Sequence, residues 1–158
     1  MSISLRKAGM SDCKQIHEMQ IQSFASLLDK YNDYHTNPGA ESIERIIQKM
    51  EQEFSTYYFI CLGNKIIGAV RIGQVNDHSF RIAPIFILPQ YQDMGYAQQA
   101  ILAIESLYPH AKYWELDTIK QETKQCYLYE KMGYRPTGKE EELQEGMTII
   151  YYRKTFSR

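Results

Sequence analysis

An abrupt change of apolar spacing in the middle of the chain limits what this sequence can fold into. Residues 85–101 read IFILPQYQDMGYAQQAI, where a continuous apolar run ends at Pro89 and apolar residues return after Gly95 at helical spacing. A short apolar run that ends at a proline is typical of a buried strand, and the later spacing is typical of a helix. The stretch therefore predicts a strand, a tight loop and a helix in succession.

The rest of the chain also alternates between strand and helix patterns. Gly63-Asn64 separates two β-rich runs as in a hairpin, and the second helix is predicted from about Glu41 with Phe54 on its apolar face. Near the C-terminus, two strands are predicted with the acidic KEEELQE stretch between them. The predicted order is β-α-α-β-β-β-α-β-α-β-β, without an internal repeat or linker. One α/β domain over residues 1–158 is the simplest interpretation.

Composition excludes several classes of protein. Lys and Arg total 18 and Asp and Glu total 19, so a net charge of −1 gives no electrostatic case for a nucleic-acid or membrane binder. No apolar run approaches the roughly 20 residues that span a bilayer, and the N-terminal residues lack a signal-peptide pattern. The scattered cysteines, Cys13, Cys61 and Cys126, indicate reduced thiols in a cytoplasmic protein. We expect neither a disulfide framework nor a metal site.

The loop before the third helix has two interpretations. Gly95 permits a positive φ angle, and the first N–H groups of the following helix have no intrahelical partner, so residues 92–97 fit a phosphate or pyrophosphate. A single glycine is equally compatible with a plain turn. The sequence of the loop alone does not distinguish an anion site from a plain turn.

A second feature is the stretch ETKQCYLYEKMGY, residues 122–134. Glu122, Cys126 and Tyr129 lie close to one face of the predicted helix, because seven residues are nearly two turns. A phenol near a helix end can donate a proton to a thiolate leaving group. The alternative is a core tyrosine whose hydroxyl has a partner.

Both features together resemble a known family. ILPQYQDMGYA looks like the acetyl-CoA loop of the GNAT N-acetyltransferases, with the family pattern on Gln92, Gly95 and Ala97. LYEKMGY resembles the second family signature, and LRKAGMSDCKQIHEM resembles the usual opening strand and helix. The resemblance implies one domain with a single mixed, mostly antiparallel central sheet flanked by helices.

The resemblance also implies a set of site residues and a cosubstrate, acetyl-CoA, without a metal. Tyr129 matches the usual general acid, which protonates the departing coenzyme A thiolate. The backbone of the strand end would bond the pantetheine arm, and the loop amides would bind the pyrophosphate. The matching residues are Phe86, Ile87 and Leu88 for the strand, and Gln92, Asp93, Met94, Gly95, Tyr96 and Ala97 for the loop.

Three positions depart from the family pattern, of which Gln92 in place of arginine removes a charge but is common in the family. Glu122 stands where asparagine is common, so it is either a base for the amine or a helix-start residue favoured by the dipole. Asp93 stands where many relatives are basic, which weakens the attraction for pyrophosphate. The general base is left open among a wider set of residues: Glu115, Asp117, Glu122, His35 and His78.

The predicted reaction is direct transfer of an acetyl group to a primary amine of a small molecule. Residues 29–37 and the acidic 139–145 stretch are expected at the acceptor site, where their charge would favour a cationic amine or would only be solvated. The alternatives are acetylation of a protein N-terminus or lysine, and a noncatalytic acyl-CoA-binding module with this fold. A homodimer is possible on the family resemblance.

Overall fold

The structure is a computed structural model that describes residues 2–157. Its elements follow the predicted order. They are β1 (Ile3–Lys7), α1 (Cys13–Tyr31), α2 (Ile43–Glu51), β2 (Ser55–Leu62), β3 (Lys65–Gln74), β4 (Ser79–Ile87), α3 (Tyr96–Leu107), β5 (Tyr113–Ile119), α4 (Thr123–Lys131), β6 (Arg135–Gln144) and β7 (Met147–Thr155). Short 3₁₀ turns lie at Met10–Asp12, Pro38–Ala40 and Pro89–Tyr91.

One seven-stranded sheet organises the molecule, in the order β1-β2-β3-β4-β5-β7-β6. Every neighbouring pair is antiparallel except β4 with β5, so the mixed, mostly antiparallel sheet is confirmed. Two apolar clusters cover its faces. Ile16 and Ile46 bring α1 and α2 onto one face, and Ile101 and Cys126 bring α3 and α4 onto the other. Within residues 2–157, no helix is long and apolar enough to cross a membrane.

Two predicted boundaries were wrong. The second helix begins at Ile43, where the Ser42 hydroxyl accepts a hydrogen bond from the Arg45 N–H, and it ends at Glu51. Phe54 therefore lies outside the helix and is 61% exposed. The acidic stretch is not a connection, because β6 continues through it to Gln144 and pairs with β7. Its glutamates suit this position, since β6 is an exposed edge strand.

A bulge in β4 opens the middle of the sheet. The β4–β5 pairing covers only three residue pairs and stops at Arg81–Glu115, although β4 continues to Ile87. Opposite, Arg71 of β3 faces the two residues Ala83 and Pro84, and the pairing register shifts there. Pro84 has no N–H to continue a ladder. Beyond Arg81–Glu115, β4 and β5 are no longer paired, and we call the region between their unpaired ends the wedge.

Candidate active site

Peptide groups of β4 line one side of the wedge. The Leu88 N–H donates to the Ile67 carbonyl on β3 at 2.8 Å, and peptide direction alternates along an antiparallel ladder. Ile85 and Ile87 therefore direct their N–H and C=O groups into the wedge, whereas Phe86 and Leu88 direct theirs toward β3. Of the three predicted strand residues, Ile87 faces the open side, and sequence reasoning missed Ile85. Strand alternation reveals Ile85 only once the pairing with β3 is known.

The β4–α3 loop, residues 88–95, lies at the mouth of the wedge. Gly95 has φ +80° as the N-cap of α3, and a β-carbon there would meet no atom within 4 Å, so the space above it is open. The backbone N–H groups of residues 93–98 donate to no acceptor within residues 2–157. Predicted loop residues thus present free donors to open space. Gln92 differs, because its side-chain amide donates to the Ile87 carbonyl at 2.8 Å.

Asp93 has a partner that sequence reasoning missed. Lys124, the second residue of α4, forms an ion pair with the Asp93 carboxylate. Both side chains are mostly exposed. Asp93 also adopts φ +64°, a conformation that aspartate tolerates better than most residues. No local spacing signal links Asp93 with Lys124, since they are 31 positions apart.

Tyr129 is buried on α4 beside the wedge. Its ring lies 6.3 Å from the rings of Tyr134 and Tyr152, and its hydroxyl donates no hydrogen bond within residues 2–157. Burial, then the charges of Asp117 and Cys126, raise the pKa of Tyr129 to about 12. Tyr129 belongs to one buried cluster with Ile82 and Ile87 of β4 and Leu116 of β5, the two strands that flank the wedge. The phenol is protonated at neutral pH and has a free donor.

Glu122 joins three segments of the chain. Its carboxylate accepts hydrogen bonds from Lys30 at 2.7 Å and from the Tyr31 hydroxyl at 2.5 Å, and Gln144 donates to the Tyr31 carbonyl at 2.7 Å. Burial raises the pKa of Glu122, but the hydrogen bonds from Lys30 and Tyr31 outweigh it and hold that pKa below its usual range. We call these four residues the Glu122 clasp. It brings together the two stretches expected at the acceptor site, and the role of Glu122 as a base stays a prediction.

The other carboxylates considered as bases lie on β5 and are ion-paired. Asp117 pairs with Arg81 of β4, and Glu115 lies 3.6 Å from Arg153 of β7. Both face away from the buried Trp114 and Leu116, so they lie on the sheet face opposite α3 and α4. Neither carboxylate can accept a proton without losing its ion pair with an arginine.

The histidines considered as bases are both exposed. His78 precedes β4, so it is about 30 Å from the Ile87 end of that strand. His35 lies in the connection after α1, on the side of the Glu122 clasp. Within residues 2–157, no group of three or more His, Cys, Asp or Glu side chains is arranged to hold a metal ion.

Comparison with known families identifies the chain. The model of the acetyltransferase (GNAT) family matches residues 21–134, which is more than half of the chain and contains the wedge, the loop and Tyr129. The chain belongs to the GNAT family. This GNAT protein is therefore an acyltransferase, as the resemblance predicted. Compared by sequence with curated proteins, it matches none of them.

Solved structures share the fold along the whole chain. The ribosomal-protein-S18-alanine N-acetyltransferase from Escherichia coli has a TM-score of 0.79 at 13% identity, covering 99% of this chain and 95% of that one. The PaiA N-acetyltransferase from Thermoplasma acidophilum, solved with coenzyme A, has a TM-score of 0.77 at 16% identity, covering 99% and 100%. A chimera of the Vibrio cholerae spermidine N-acetyltransferase SpeG with hSSAT has a TM-score of 0.76 at 18% identity, covering 98% and 96%.

Proposed function

We propose that this GNAT protein is an acetyl-CoA-dependent N-acetyltransferase that moves an acetyl group directly to a primary amine of a small molecule. One observation carries the proposal. A protonated, unpartnered phenol packs against the strands that flank the wedge, peptide groups of β4 line one of its sides, and free N–H donors lie at its mouth. A long thioester with an anionic end fits these three parts in order.

The cosubstrate would lie along β4 with its phosphates at the loop. Ile85 and Ile87 would bond the amides of the pantetheine arm as an additional strand does. The N–H groups of residues 93–98, at the positive end of α3, would bind the diphosphate. The Thermoplasma protein was solved with coenzyme A, and a GNAT family acetyltransferase from Elizabethkingia anophelis was solved with acetyl-CoA bound, which supports acetyl-CoA as the cosubstrate.

The chemistry follows from the position of Tyr129. The neutral amine attacks the thioester carbonyl carbon, a carbon–nitrogen bond forms, and the carbon–sulfur bond breaks with its electron pair on sulfur. Tyr129 gives its proton to the sulfur, and the proton lost by nitrogen returns through solvent to the phenolate. The products are an amide and the free thiol of coenzyme A. Tyr129 is the catalytic acid in this proposal, and juxtaposition supplies much of the remaining acceleration.

Glu122 is one candidate for the base, under a definite condition. Its carboxylate must release Lys30 or Tyr31 before it takes a proton. A pKa held below the usual range also makes Glu122 a weaker base at neutral pH. The same charge suits a second task, which is holding an incoming ammonium group beside the end of α1.

The Glu122 clasp supports a small acceptor. It connects the end of α1 with α4 and with the β6–β7 turn, and these are the segments that we propose to form the acceptor site. A long polypeptide needs an open groove there. Protein acetylation remains the second candidate, since the E. coli neighbour is named for a ribosomal protein acceptor. The third is a noncatalytic acyl-CoA-binding module, in which Tyr129 would be dispensable.

Calorimetric titration with acetyl-CoA, and separately with ATP, tests the cosubstrate. We expect binding of acetyl-CoA alone. Thiol release with a panel of small primary amines and of peptides then tests the acceptor, with small amines expected to react faster. Absence of acetyl-CoA binding would contradict the proposal. Binding without thiol release from any amine or peptide would favour the noncatalytic module.

Location and assembly belong to the same proposal. The three cysteines are free and buried, which supports a reducing compartment and hence the cytoplasm. The exposed β6 edge is a surface on which a second copy can pair, which supports a homodimer.

A further inference from the structure

The loop that would hold the diphosphate has no cation of its own. Residues 88–95 read LPQYQDMG, which includes a carboxylate at Asp93 and neither lysine nor arginine. Its N–H groups and the N-terminus of α3 provide only about half an elementary charge. An anion bound there is attracted by these partial charges and repelled by Asp93.

Lys124 brings a full positive charge to this loop from another element. Its ammonium pairs with Asp93, whereas the neighbouring Lys120 is turned to Glu140 on β6 at 2.9 Å. Glu122, two residues before Lys124, is engaged with Lys30 and does not compete for it. Within residues 2–157, Lys124 is the cation that an ion pair connects to the loop.

The Asp93–Lys124 ion pair is weak enough for another anion to replace Asp93 as the partner of Lys124. Its side chains are 68% and 78% exposed, and exposed ion pairs are weak because water screens them. A diphosphate carries more negative charge than one carboxylate and offers more acceptor oxygens. It therefore outcompetes Asp93 for Lys124 at little cost.

We propose that Lys124 is a cosubstrate-binding residue, which leaves Asp93 and pairs with the diphosphate when acetyl-CoA binds. Asp93 holds the ammonium beside the free N–H groups in the empty protein and opposes the anion in the complex. This inference rests on the proposed function, since it assumes that acetyl-CoA occupies the wedge. It assigns the positive charge that the loop lacks to Lys124 of α4, and it makes Asp93 the residue that positions this charge before the cosubstrate binds.

Titration of three variants with acetyl-CoA tests the proposal. Lys124→Gln should weaken binding about fivefold at low salt, and Asp93→Asn should tighten it by a similar factor, as expected for one charge contact near water. Lys120→Gln is the matched control, because it removes the same charge from a lysine that faces β6. Both differences should shrink as salt is raised.

A truncated donor separates phosphate binding from other effects. With S-acetylpantetheine, which has no phosphate, kcat/KM should be the same for Lys124→Gln and wild type. Equal affinity of Lys124→Gln and wild type for acetyl-CoA would overturn the proposal, as would equal losses in Lys124→Gln and Lys120→Gln. Unchanged or weaker binding by Asp93→Asn would overturn the partner exchange. If wild type itself binds no acetyl-CoA, the proposed function has failed, not this inference alone.

Discussion

At the scale of a single residue, Tyr129 owes its chemistry to its surroundings. Its ring packs against two other tyrosines, and burial raises the pKa of its phenol to about 12. The group therefore carries its proton throughout the pH range in which an amine becomes neutral. A rate of acetyl transfer that rises with pH should therefore reflect deprotonation of the acceptor amine. Ionisation of Tyr129 should not lower this rate below about pH 10.

Replacing this phenol tests its role. Tyr129→Phe should lower kcat by about 100-fold, because the proton donor is removed, while affinity for acetyl-CoA changes little. Tyr127→Phe is the control on the same helix, because Tyr127 is 71% exposed. Steady-state thiol release and calorimetry measure the two quantities. A Tyr129→Phe protein with wild-type kcat would remove Tyr129 from the mechanism.

The hydrogen-bond and ion-pair partners of the candidate site residues could not be predicted from the sequence. The predictions of Gly95 and Tyr129 rest on local signals, namely a glycine before a helix and a tyrosine near a helix end. The partners of Glu122 lie on α1, more than ninety residues earlier in the chain. Lys124 likewise meets Asp93 only after folding. Single-sequence patterns carry no information on such pairs.

At the scale of elements, the end of β4 is fixed by its neighbour β3. Gly68 pairs with Ile87, and a β-carbon on Gly68 would overlap the Phe86 carbonyl oxygen. The types of the elements and their order along the chain followed from periodicity, because hydrophobic spacing is a local property. The wedge did not follow from it, since it depends on pairing between strands. Pro84 within a strand pattern was the available signal for the bulge.

A methyl group at Gly68 tests whether this contact positions β4. Gly68→Ala should lower the free energy of unfolding by about 1–3 kcal/mol through overpacking, and it should weaken acetyl-CoA binding because β4 must shift. Gly73→Ala is the control on the same strand, where the nearest atoms are 3.8 Å away on a side chain. Urea unfolding and calorimetry give the two readouts. Wild-type stability and affinity in Gly68→Ala would contradict this account.

A bulky residue at Gly95 tests the anion site of the β4–α3 loop. Gly95→Trp should abolish detectable acetyl-CoA binding by filling the space above the free N–H groups. Gly138→Trp is the matched control, because Gly138 also has a positive φ, +94°, and open space around it, but lies on β6. The two variants share the backbone strain and differ in location. Normal binding by a folded Gly95→Trp protein would move the anion site elsewhere.

At the scale of the whole molecule, the core contains many phenols. Burial is the largest cause of a raised pKa for five buried tyrosines: Tyr31, Tyr57, Tyr129, Tyr134 and Tyr152. In the unfolded chain these groups titrate near pH 10. Between that value and the higher folded values, the unfolded state binds fewer protons, so stability decreases as pH rises.

The contribution of these phenols to the free energy of unfolding should therefore be constant below about pH 10. Above that pH it should fall by up to about 1.4 kcal/mol per pH unit for each tyrosine. Urea unfolding from about pH 8 to pH 11, with tyrosinate absorbance, measures the effect. Tyr57→Phe should reduce the fall without losing a hydrogen bond, since the Tyr57 hydroxyl is buried without a partner. Tyr127→Phe should leave it unchanged. Constant stability up to pH 11 would show that these phenols titrate normally.

The short β4–β5 pairing has a consequence for the protein inside a cell. Three residue pairs join the half-sheet β1–β4 to the half-sheet β5–β7, and the proposed cosubstrate lies in the gap beyond them. A ligand that bridges two halves of a sheet slows their separation and stabilises the folded state by mass action. Proteases cleave the separated form. The half-life of this protein would then increase with the concentration of acetyl-CoA.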